Sequence, residues 1–229
     1  MLRHFDEELA RLKSTLLRMG GLAEAQLHDA LLAMTSRNSD LAERVIEQDL
    51  RVNTLDVEID EECIRLLALQ QPAARDLRLI TTGMKIASEL ERIGDLAESI
   101  ATRTIELNEE PQLKPYIDIP RMGNWAAGMV KDSLDSFLRG DVPLAQTVMQ
   151  NEAFVNDLME QIFRELLSYM IEDPRTITRA LRLLFVAKSI ERVADHATNI
   201  AELVVYMVEG KIIRHTVAAI SLPPPTASN

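Results

Sequence analysis

The chain is poor in the residues that build cross-linked or nucleophilic scaffolds. Its single cysteine, Cys63, excludes an internal disulfide, and the setting "DEECIRLLAL" reads as a small apolar residue on a helix rather than a nucleophile. No uncharged apolar run reaches the ~18 residues of a membrane span, and the start shows no charged-then-apolar leader. The expected location is the cytoplasm. Basic residues are outnumbered, 25 Lys+Arg against 36 Asp+Glu for a net charge of −11, which argues against a nucleic-acid surface. A glycine-rich phosphate loop, a nucleophile elbow and a Cys/His zinc spacing are all missing. Strand-type alternation is missing as well.

What is present is helical periodicity. Pro72, the stretch "EEPQLKPYIDIPRMG", Gly140 with Pro143, and Pro174 act as breaks, so the pattern predicts six helices near 2–37, 40–70, 74–108, 118–139, 142–172 and 175–208. Ile86, Leu90, Ile93, Ala97 and Ile100 step as the apolar stripe of a bundle helix does. Val186, Ile190, Val193, Ala197 and Ile200 repeat that stripe. Trp125 and the methionines stand at helical core spacing.

The repetition is general. "ERIGDLAESIA" from Glu91 returns as "ERVADHATNIA" from Glu191, and "MGGLAEAQLHDAL" from Met19 returns as "MGNWAAGMVKDSL" from Met122. "LAERVIEQDLRVNTL" from Leu41 matches "LAQTVMQNEAFVNDL" from Leu144. The offset is 103 in the first two helices and 100 in the third, so the turn before the third helix is three residues shorter in the second copy. Short connections favour antiparallel neighbours. The expected fold is all-α, two pseudo-symmetric up-down-up three-helix bundles over 1–110 and 117–210. A tail over 211–229 ends in "SLPPPTASN", too polar and proline-rich to pack.

Glu91 and Asp95, and likewise Glu191 and Asp195, stand four apart on one side of a helix, where like charges repel unless solvated or given a cation. Antiparallel pairing about Pro72 sets Asp49 and Asn53 opposite Asp95 and Glu91, with Asp29 at nearly the same height. Pairing about Pro174 and Gly140 sets Glu152 and Asn156 opposite the region of Asp195 and Glu191, with Asp132 close by. Each bundle thus gathers oxygen ligands from up to three helices. At 100° per residue Glu91 and Asp95 lie about 140–180° from the apolar stripe, so any site is near the surface. The line Asp49, Asn53, Asp56, Asp60 either joins those acids or faces water. His196 has Leu96 as its counterpart and reads as a polar surface residue, while Arg92 and Arg192 read as neutralising partners of the acids or as contacts to another protein.

The segments "MGGLAEAQL", "DLAERVIEQDLRVNTLDVEID", "QQPAARDLRLI", "ELERIGDLA" and "SIERVADHATNIAE" resemble the PhoU family of phosphate-signalling regulators. The resemblance implies a non-catalytic negative regulator of the phosphate response, peripheral to the membrane through its protein partners. It would link the ATPase subunit of the phosphate ABC transporter to a sensor histidine kinase, as a homodimer. It also implies metal ions at the Glu/Asp-x-x-x-Asp pairs. Ala194 stands where the family commonly has Gly, and the facing sets end in Asn53 and Asn156 rather than Asp, so Mg or Mn is expected before Fe, Zn or Ni. The alternative is a carboxylate-bridged metalloenzyme, but those sites use Glu-x-x-His, and none of the four histidines has Glu three positions before it.

Overall fold

In the computed structural model, which describes residues 2–70 and 72–211, the punctuation falls where the sequence places it. Helices α1 (Leu2–Ser36), α2 (Ser39–Gln70), α3 (Ala74–Asn108), α4 (Asp118–Arg139), α5 (Val142–Glu172) and α6 (Ile177–Glu209) follow in order, with a 3-10 turn at Pro174–Thr176 before α6. Residues 212–229, which hold most of the expected tail, lie outside the described residues.

Local chemistry sets the ends. Gly140 takes a left-handed conformation (φ 63°) to stop α4, and Asp141 starts α5 by accepting a hydrogen bond from the Leu144 N–H at 3.0 Å. Asn38 does the same for α2, accepting from Leu41 N–H at 3.0 Å. After α5, Asp173 caps the 3-10 turn by accepting from Arg175 N–H at 3.0 Å, so one residue separates these helical elements where α2 and α3 are three apart.

The two bundles pack as a pseudo-two-fold pair with one continuous apolar core. α3 runs antiparallel to α6: Arg78 lies by Met207, Glu89 by His196 and Glu110 by Arg182. α1 and α4 cross the same way through a reciprocal fit. A Cβ on Gly20 would come within 2.5 Å of Leu134, and one on its repeat mate Gly123 within 2.6 Å of Leu31, itself the repeat mate of Leu134. Each glycine admits the other half's leucine, so α1 and α4 approach more closely than alanine would allow.

Candidate metal centre

In the first bundle the site is built around Asp49 of α2, which is buried at 6% exposure and joins the α3 acids instead of facing water. Its core position follows from α3, whose Gly94 leaves room: a Cβ there would sit 3.0 Å from Asp49 Oδ1. Gln26 of α1 donates from Nε2 to that oxygen at 3.1 Å and to the Val45 carbonyl at 3.3 Å. Asn53 donates from Nδ2 to the other Asp49 oxygen at 2.7 Å. These amides orient the carboxylate without cancelling its charge. From α3, Asp95 and Glu98 each bring an oxygen, and the three ligand atoms of Asp49, Asp95 and Glu98 lie within 4.8 Å of one another.

The electrostatics are those of a site short of positive charge. Burial first, then Asp95, pushes the Glu91 carboxyl above its ordinary range, with Asp56 and Asp49 adding to the effect and Arg92 opposing it. Glu98 is raised by burial and then by Asp49 and Asp95, and Asp56 by burial and then by Asp60. Arg92 contacts Asp95 at 2.9 Å and Glu91 at 3.4 Å, supplying the positive charge nearest to the cluster while staying more than half exposed. Two buried amide oxygens, Gln26 Oε1 and Asn53 Oδ1, have no hydrogen-bond donor. An oxygen-only set of carboxylates with uncompensated amide carbonyls suits a hard divalent cation.

The second bundle does not assemble the same set. Burial, then Glu152 and Glu191, raises the Asp195 carboxyl, so Asp195 lies within electrostatic reach of both acids. However, Lys188 pairs with Glu191, Asn156 is exposed, and among the described residues no three-acid ligand group forms there. The counterparts explain it: Thr198 replaces Glu98, Met129 replaces Gln26 and Ala194 replaces Gly94. Thr198 Oγ1 is buried without a partner. Asp29 and Asp132 are half-buried, and neither joins the cluster; Asp29 lies 3.4 Å from His28, and Asp132 lines an open cleft beside Trp125. Arg192 is exposed.

Two expectations change. His196 is a half-buried interhelical residue, its Nδ1 2.6 Å from Glu89 Oε2, which also accepts from Asn199 Nδ2 at 3.1 Å. Trp125 is 38% exposed and stacks on Phe154 with centroids 5.2 Å apart, so its helical spacing does not place it in the core. Glu98 and Gln26 are the residues that sequence reasoning passed over. Glu98 follows Asp95 by three positions on the same helix face, but the second copy has Thr there, and looking for what both copies share conceals it.

The halves match one family separately. The model of the PhoU domain covers residues 16–104 and again 119–204, each inside one bundle. The chain belongs to the PhoU family. It is 45% identical over 93% of its length to the "Phosphate-specific transport system accessory protein PhoU homolog" of Pseudomonas aeruginosa, covering 88% of that protein. It is 41% identical over 92% of its length to the Escherichia coli accessory protein PhoU, again covering 88%. The crystal structure of PhoU from Pseudomonas aeruginosa superposes with a TM-score of 0.88 at 45% identity, over 90% of this chain and 100% of that one. The phosphate transport system regulatory protein PhoU from Streptococcus pneumoniae gives 0.85 at 30% identity, over 91% and 99%. The doubled helical bundle is thus the PhoU fold, and no helix among the described residues is long and apolar enough to cross a membrane.

Proposed function

We propose that this PhoU-family chain is a non-catalytic adaptor that holds the phosphate-starvation response off while phosphate is plentiful. It works in the cytoplasm as a homodimer, reading the phosphate ABC transporter through its ATPase subunit and restraining a sensor histidine kinase. The observation that carries this reading is the match of both bundles, over most of the chain, to proteins named as accessory to phosphate-specific transport. Asp49, Asp95 and Glu98 hold a divalent ion, Mg or Mn by ligand type, with Glu91 and Asn53 beside it. Glu152, Glu191 and Asp195 form a weaker second site. The ion supplies charge, cancelling repulsion among the acids and leaving a face that basic partner surfaces approach under electrostatic control. The metalloenzyme alternative has less support, because the clustered acids have no histidine among them.

Deleting the gene and following a phosphate-starvation reporter in phosphate-rich medium tests the reading. The expected result is a reporter switched on; a reporter that stays low and inducible, as in the parent, removes the function. Co-purification of the tagged chain with solubilised transporter and kinase, at high and low phosphate, tests the partners separately.

A further inference from the structure

The pseudo-two-fold has two poles, each where a third helix of one half ends beside the other half, and they are finished differently. At the first, Arg37 donates to the carbonyls of Leu107 (3.2 Å), Asn108 (3.2 Å) and Glu110 (2.7 Å). The Glu110 carboxylate lies 2.7 Å from Arg182 and 3.5 Å from Arg179, and Glu106 lies 3.2 Å from Arg182. The chain's own carboxylates therefore neutralise that pole's arginines.

At the second pole the repeat mates of those groups are gone. Gly140 stands for Arg37, Tyr206 for Glu106 and Gly210 for Glu110. The cations remain. Lys13, Arg75, Arg78 and Arg139 line a cavity of about 640 Å³ between α1, α3, α4 and α6. Arg78 binds the Met207 carbonyl at 3.3 Å and lies 3.8 Å from where a Cβ on Gly210 would be, so it occupies the position at which a glutamate would meet it. Arg139 keeps only a 3.7 Å contact to Asp135, and Lys13 and Arg75 have no partner among the described residues. The same cavity has an apolar floor of Leu9, Phe137, Met207 and Val208. Asp6 and Asp76 also line it, leaving a net excess of two positive charges and two acceptors for hydroxyl groups.

We propose that this cavity binds an organic phosphate of about nucleotide size. Its phosphates lie on Arg75, Arg78, Arg139 and Lys13, its hydroxyls on Asp6 and Asp76, and its apolar body on the floor. The external phosphate does at this pole what Glu110 does at the other, with planar guanidinium donors matched to its oxygens. A volume of this size is ordinary for a small-molecule site and far larger than inorganic phosphate needs.

The test is isothermal titration of the full chain, in chelator, with ATP, ADP, pyrophosphate, inorganic phosphate and citrate. Expected is saturable one-to-one binding of ATP and ADP, with pyrophosphate, phosphate and citrate at least about tenfold weaker. Lys13→Ala and Arg75→Ala should each weaken ATP by about tenfold or more, as loss of a charge-assisted contact implies. Gly210→Glu, which supplies an internal carboxylate, should abolish binding in protein whose circular dichroism remains helical, whereas Arg18→Ala, midway along α1 and paired with Glu58 instead of lining the cavity, should leave it unchanged. Absence of saturable ATP and ADP binding overturns the proposal. So does citrate or pyrophosphate binding as tightly as ATP, or ATP binding that neither cavity variant weakens.

Discussion

The two bundles share a fold and differ in how far each turns its acids into a site. In the first, Gly94, Gln26 and Glu98 let three carboxylates meet around a buried Asp49. In the second, Ala194, Met129 and Thr198 occupy the matching positions, and Lys188 supplies a positive charge to Glu191 from within the chain. A repeat thus preserves helix packing while its polar positions diverge, because packing depends on the apolar stripe and the site depends on a few residues off it.

The largest expected effect breaks the symmetry that both halves rely on. Gly123→Leu forces a side chain against Leu31 and should cost about 1–3 kcal/mol by overpacking, lowering the melting temperature by several degrees. Gly123→Leu with Leu31→Ala should recover part of that loss. A single variant as stable as the parent would show that the α1–α4 crossing does not need the reciprocal glycine–leucine fit.

The next effect separates the two acid sites. Asp49→Asn should remove the tighter Mn-binding step seen by titration calorimetry, and Glu152→Gln should affect only a weaker one. Gln26→Leu, which strips one of the two amides that orient Asp49, should weaken the tighter step about 10–100-fold. Equal losses from Asp49→Asn and Glu152→Gln would make the sites equivalent and overturn the asymmetry.

A smaller effect concerns pH in metal-free protein. Glu91, Glu98, Asp56 and Asp195 all have carboxyls raised by burial and neighbouring acids, so in the folded state they hold protons at a pH where the unfolded chain has lost them. Stability from these groups is therefore greatest below their ordinary carboxylate range and is lost as pH rises through the raised values. Thermal melts should show the chelated protein gaining stability on mild acidification from neutral. Asp195→Asn should flatten that dependence, and saturating Mn should flatten it more.

The smallest effect uses glycines without neighbours. Gly21 and Gly128 have open space where a Cβ would go, so Gly21→Ala and Gly128→Ala should each stabilise their helix by about 0.5–1 kcal/mol. Set against Gly123→Leu, they separate packing from propensity.

Much of the site was legible before the fold. Pairing about Pro72 brings Asp49 to Asp95 correctly, since antiparallel helices joined by a short turn align residues at equal distance from it. Helical angles alone put Glu91 and Asp95 away from the core and left the Asp49 line open between joining them and facing water, because they measure one helix against its own stripe and take no account of the neighbour that covers it. That is why Asp49 came out buried and His196 became a partner of Glu89 across α3 and α6. Spacing placed Trp125 in the core for the same reason, and its exposed stacking on Phe154 depends on where α5 lies.

By itself the sequence determined six helices, their ends, their doubling and the acids that recur in both copies. These are local properties, set by 3.6-residue periodicity, capping residues and breaks. The tertiary structure alone decided which acids converge, that Glu98 and not Asn156 completes a cluster, and that one pole of the pseudo-two-fold is closed by Glu110 while the other gathers Lys13, Arg75, Arg78 and Arg139 around a cavity. Distances between helices depend on the side chains wedged between them, and a single Gly, Ala or Thr at a crossing changes which oxygens meet without changing the helical pattern.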